Sequence, residues 1–160
     1  MESFAAKSNP PIERLPRRSD PLRLPRAVPG GDGLFTVDST WGVIQPMQLA
    51  PGVATVGELE VIENIEQGHL LVDCRLPEYL AGGTLPTAIA VSHAEIVPGL
   101  AAHRSRGGPV VLFCNGPQCA ATPQAIPALL EAGWEAARLR YYRGGLHDWV
   151  TLGLPLVPAQ

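Results

Sequence analysis

The stretch Val110–Trp134, VVLFCNGPQCAATPQAIPALLEAGW, decides the fold. Its first four residues, Val110 to Phe113, form a compact apolar run, as in a strand buried on both faces. Cys114 then opens a short polar loop, in which Gly116 lets the backbone curl. Beyond the loop, Thr122 reads as an N-cap and Pro123 as a first-turn proline. Ile126, Leu129 and Leu130 supply the apolar face of the helix that follows, and Gly133 gives its stop.

Working outward, the same alternation repeats. Thr55 heads TVGELEVIENIEQG, with Glu58 three residues later as in a capping box, Leu59, Ile62 and Ile65 at helical spacing, and Gly68 as the end. HLLVDCR, from His69, is a second buried strand, and TAIAVS, from Thr87, a third. The segment from His93 to His103 has helical character that Pro98 and Gly99 weaken. AARLRYY, from Ala136, reads as a further strand, and GGLHDWVTLGLP, from Gly144, as a glycine turn and a short closing helix. Strands alternating with helices predict an α/β fold, a parallel sheet covered on both faces.

A chain of 160 residues, 46% hydrophobic and 17% charged, fits one globular domain. Residues 1–33, with six prolines before Gly31 and no period of 2 or 3.6, predict a flexible tail; residues 34–160 form the domain, and LFTVDSTWGVIQ at its start reads as extended. A net charge of -3 gives no basic footprint for nucleic acid or an anionic membrane. Without an apolar run of about 18 residues or a secretory leader, the expected location is the cytoplasm. The four histidines are scattered without metal-ligand spacing and no phosphate loop or dinucleotide fingerprint is present, so neither metal nor cofactor is expected.

Three cysteines in such a chain are expected as thiols. Cys114 stands out, because ligands of an open parallel sheet bind at the carboxyl ends of its strands. A capped helix follows its loop, so amides and a dipole aim at that point and favour an anion. A thiol there is expected to have a lowered pKa and to be nucleophilic. Cys74 is most simply a small buried side chain. Cys119 either packs under the helix or meets Cys114, as a resolving thiol or a reversible redox cap.

At this point the chain resembles the rhodanese-like family. The resemblance rests on LLVDCR with Asp73 and Arg75, Glu78 and Tyr79, GTLPTA from Gly83 to Ala88, LFCNGPQCA from Leu112, and GGLHDW from Gly144, with GLP at Gly153 to Pro155. It covers about residues 55 to 157, in the family's order, and implies a roughly five-stranded parallel sheet with helices on both faces. It also implies a sulfurtransferase, in which Cys114 carries a sulfane sulfur as a persulfide from a donor such as thiosulfate to a thiophilic acceptor, a small molecule or a protein thiol. The loop residues Asn115, Gly116, Pro117, Gln118, Cys119 and Ala120 would bind substrate, their amides stabilising the thiolate and the terminal sulfur.

The loop departs from better-known members in holding no Arg or Lys. Arg143 and His147 are the cations expected near the same mouth, and Asp73 with Arg75 reads as a structural ion pair. Without an arginine at the loop end, phosphatase chemistry lacks its guanidinium fork. A non-catalytic binding module and a Cys114/Cys119 redox sensor are the competing readings.

Overall fold

A computed structural model describes residues 24–36 and 42–160 of the protein. In chain order its elements are β1 (Arg26–Ala27), β2 (Phe35–Thr36), β3 (Ala54–Thr55), α1 (Glu58–Glu66), β4 (Leu70–Asp73), β5 (Ile89–Ala90), α2 (Ile96–Leu100), β6 (Val110–Phe113), α3 (Ala121–Glu131), β7 (Leu139–Tyr142) and α4 (Gly145–Thr151). β1 and β2 pair antiparallel. The other five strands make one sheet in the order β3-β7-β6-β4-β5, with every pair parallel.

The stretch that begins at Val110 therefore supplies the central strand. All four β6 residues are buried, and their side chains alternate between two cores. Val110 and Leu112 join Leu70, Val72, Leu139 and Tyr141 under α2 and α3. Val111 and Phe113 join Leu71, Tyr142, Leu146 and Trp149 on the side of α1 and α4. Covering both faces is what goes with a continuously apolar β6 and a β4 that is apolar up to Asp73.

The elements differ from their sequence signals in three places. Thr55 lies in β3 and its hydroxyl donates to the Met47 carbonyl, so it does not cap α1. Gly57 takes that position, and its amide donates to the Glu60 carboxylate at 3.0 Å. Leu59, expected on the apolar face of α1, is 80% exposed. The helix instead buries Val61 and Asn64, because the Asn64 amide donates to the Leu70 carbonyl at 3.2 Å and orients the helix on β4. Lastly, α3 begins at Ala121, which puts Thr122 inside its first turn without a capping side-chain bond.

Most of the tail expected over residues 1–33, namely residues 1–23, lies outside the described residues, as do residues 37–41 of the expected extended segment. Of the remainder, Leu24 is buried against the α1 and α4 core. The chain's other end is fixed by Trp149, whose indole donates to the Pro155 carbonyl at 2.7 Å, and by the Thr84–Val157 bridge.

Candidate active site

Cys114 follows β6 directly, at the carboxyl end of the central strand, and is only 2% exposed. Its sulfur accepts the Thr122 amide at 3.4 Å and donates to the Cys119 carbonyl at 3.6 Å. The Thr122 amide is one of the first-turn donors that a helix cannot satisfy internally, so α3 addresses the sulfur with its positive end.

The expected ring of amides from Asn115 to Ala120 is narrower than its residues suggest. Pro117 has no N–H. The Cys119 amide closes a turn onto the Gly116 carbonyl at 3.0 Å. The donor sequence reasoning missed is Thr122, which was visible only as a cap.

Two segments hold the loop in place. From α4, the Leu146 and His147 amides donate to the Cys114 and Asn115 carbonyls at 3.2 and 2.9 Å. This close approach needs Gly145, whose φ is +57° and where a Cβ would overlap the Cys114 carbonyl oxygen. From the other side, the Gln45 amide donates to the Pro117 carbonyl at 2.8 Å. At Gly42, with φ +73°, a Cβ would collide with the Gln118 carbonyl. No local sequence signal marks Gln45 or Gly42, because their partners lie more than 70 residues away.

Arg143 belongs to this second clamp. Its Nε and Nη2 donate to the Gln45 carbonyl at 3.0 and 2.8 Å, so the guanidinium expected to receive an anionic donor fastens the 42–45 segment. Arg143→Gln is expected to lower stability by about 1.5–3 kcal/mol, the range for a hydrogen bond to a charged group. Urea unfolding checks this; unchanged stability would show that the Gln45 contact does not anchor the 42–45 segment. His147 stands against the loop at Gly116, where a Cβ would lie 2.9 Å from its ring.

A cavity of about 380 Å³ opens in front of the loop, lined among others by Val43, Arg75, Tyr79, His93, Cys119 and Gln124. Its size is within the range of small-molecule sites. Cys119 faces it, while Cys114 lies behind. Arg75 brings no unbalanced charge, since Asp73 accepts its Nη2 at 2.7 Å. The structural pairing expected of these two residues is present.

Burial, and next the Cys119 thiol beside it, push the Cys114 thiol up, against an opposing pull from Thr122. The lowered pKa expected from the helix end is therefore not what this closed arrangement produces: taking the sulfur out of water outweighs the amide. Cys74 is likewise raised by burial, in keeping with its place in the core. Among the described residues, no cluster of His, Cys, Asp or Glu gathers to hold a metal ion, and no helix is long and apolar enough to cross a membrane.

Residues 58–152 match the rhodanese-like domain family. A sulfurtransferase of Allochromatium vinosum is 32% identical over 88 residues, 55% of this chain and 78% of that protein. An HTH-type transcriptional regulator of Mycobacterium tuberculosis is 33% identical over 98 residues, 61% of this chain but 42% of the regulator. Among solved structures, a thiosulfate sulfurtransferase from Pseudomonas aeruginosa superposes with a TM-score of 0.57 at 22% identity, over 68% of this chain and 21% of that one, which supports the fold. With a family match that runs from α1 to α4 and includes the Cys114 loop, the chain belongs to the rhodanese-like domain family.

Proposed function

We propose that the protein is a sulfurtransferase that moves a sulfane sulfur from a donor such as thiosulfate or 3-mercaptopyruvate to a thiophilic acceptor, holding it as a persulfide on Cys114. The observation that carries this reading is the place of the Cys114 sulfur, at the end of the central strand with the Thr122 amide 3.4 Å away. With thiosulfate, the Cys114 thiolate attacks the outer sulfur, the S–S bond breaks, and sulfite leaves with the bonding pair. An acceptor thiolate then attacks the terminal sulfur of Cys114–S–S⁻, and the Cys114 thiolate leaves. Dividing the transfer into two exchanges is covalent catalysis. The fixed amide and the α3 dipole favour the anionic sulfur in both steps without reorganising.

The nucleophile is the thiolate, and burial keeps Cys114 protonated to higher pH than a free thiol. Loading is therefore expected to accelerate as pH rises from about 7 through the free-thiol pKa of about 8.5, without levelling off below it. Mass measurement of the Cys114 peptide after timed thiosulfate treatment checks both points. One added sulfur with a rate that climbs over this range is expected; no added sulfur overturns the reading, and a plateau below neutrality overturns its electrostatics.

The approach of Cys119 to Cys114, whose sulfur donates to the Cys119 carbonyl at 3.6 Å, favours a second reading, a thiol redox pair. Loss of two hydrogens without gain of sulfur is its signature in the same measurement. A binding module, suggested by the likeness to part of a transcriptional regulator, gives neither change.

A further inference from the structure

The cavity in front of the Cys114 loop holds no surplus charge. Among the described residues, Arg75 is the one guanidinium in its lining, and the Asp73 carboxylate already accepts its Nε and Nη2. No described carboxylate lines the cavity. Arg143 stands outside the lining and turns its Nε and Nη2 to the Gln45 carbonyl. The wall is mostly apolar, built by Val43, by Leu76 and Tyr79 from the segment after β4, and by Ala120 and Ala121 where the loop enters α3.

Its size points the same way. An apolar cavity of about 150 Å³ already holds one benzene ring, and this one, at about 380 Å³, has room for a ring and its substituent. Val43 is 76% exposed, although the segment that carries it is fixed by the Gln45 amide on the Pro117 carbonyl and by Arg143 on the Gln45 carbonyl. The fold thus holds an apolar side chain in water beside the cavity, and an apolar occupant would shield it. The site is also close to the chemistry, since Cys119 to Ala121 line the cavity while the Cys119 carbonyl and the Thr122 amide hold the Cys114 sulfur.

We propose that this cavity binds uncharged organic thiols whose body is an apolar group of about benzyl size, and that such a thiol is the acceptor of the sulfur. The acceptor role rests on the reading of Cys114 as the sulfur carrier. The thiol gives its proton to solvent, and its sulfur attacks the terminal sulfur of Cys114–S–S⁻. The S–S bond at Cys114 breaks, the Cys114 thiolate leaves with the bonding pair, and the organic group departs as its own persulfide. No outside oxidant or reductant is needed. A body that carries a carboxylate would leave water for a wall without a counter-charge, so the same cavity rejects it.

The test loads the full chain with thiosulfate and follows loss of the added sulfur by mass, using two thiols that differ only in charge, benzyl mercaptan and para-mercaptomethylbenzoate. Rates are divided by those of the same thiols with a small disulfide, which removes intrinsic reactivity. Benzyl mercaptan is expected to be at least about tenfold faster at limiting concentration. Val43→Arg, a change at an exposed position that should leave Tm unmoved, is expected to shrink this ratio severalfold by placing a cation beside the cavity. A ratio near one, or a ratio that Val43→Arg leaves unmoved, overturns the proposal. A second measurement needs no sulfur transfer: benzyl alcohol is expected to slow iodoacetamide alkylation of Cys119 saturably, and at lower concentration than para-hydroxymethylbenzoate. Absence of saturable protection overturns the cavity as a binding site. Protection in a protein that thiosulfate never loads upholds the apolar site and ends the acceptor role together with the Cys114 reading. Loading followed by equal discharge rates ends the apolar site and leaves sulfur transfer intact.

Discussion

Cys114→Ser is expected to remove sulfur transfer, lowering thiosulfate turnover with cyanide or a thiol acceptor by at least about a hundredfold, as loss of a covalent nucleophile does. Serine has the same branching and leaves a hydroxyl on the side of the Thr122 amide and the Cys119 carbonyl, at longer range than the sulfur. A hydroxyl, however, cannot form the persulfide. The residue sits in the core beneath α3, so the swap exchanges one small buried side chain for another and the fold should persist. Circular dichroism and Tm establish that the variant is folded, and steady-state turnover then reads the chemistry alone. Activity that survives would transfer the nucleophile's role to Cys119, the thiol that faces the cavity.

The parts of this site that could be read from sequence are those made of short-range order. β6 and the place of Cys114 at its end follow from four apolar residues and the polar loop after them. The Gly144–Gly145 pair was legible as a turn, but its purpose appears only in three dimensions, where Gly145 lies against the Cys114 carbonyl. The parallel sheet was legible because β6 is apolar throughout and β4 is apolar up to Asp73, a pattern that fits burial on both faces.

What stayed hidden depends on distant partners or on competing energies. Arg143 carries a charge in any sequence, yet only the fold brings the Gln45 carbonyl to it. Leu59 has the period of a core residue, but Asn64 orients α1 through Leu70 and leaves Leu59 in water. The ionisation of Cys114 is hidden for a physical reason: a helix end lowers a thiol pKa while burial raises it, and here burial is the larger effect. Thr122 reads as a cap, and the bond from its amide to the Cys114 sulfur is invisible to any local pattern.

Asp73→Ala is expected to destabilise the fold by about 3–5 kcal/mol, the range for removing one partner of a buried ion pair. Asp73 is fully buried and Arg75 is 2% exposed. The carboxylate accepts Arg75 Nε at 3.0 and 3.1 Å, its Nη2 at 2.7 Å and its amide at 3.1 Å, together with the Thr84 hydroxyl at 2.7 Å. Arg75 passes this order on, donating to the Tyr79 carbonyl at 2.8 Å and to the Gly83 carbonyl at 2.7 Å. Without Asp73, a guanidinium remains in the interior with only those carbonyls to oppose its charge. Because Arg75 and Tyr79 also line the cavity in front of the Cys114 loop, the defect reaches that cavity as well as the core. Urea unfolding measures the loss, and an Asp73→Ala/Arg75→Met cycle separates the pair's coupling from the penalty of the stranded charge. The double variant should be more stable than Asp73→Ala alone, since it removes that charge. A loss under about 1 kcal/mol for Asp73→Ala would place the pair with solvent-screened surface bridges and end its role as the anchor of the 75–83 segment.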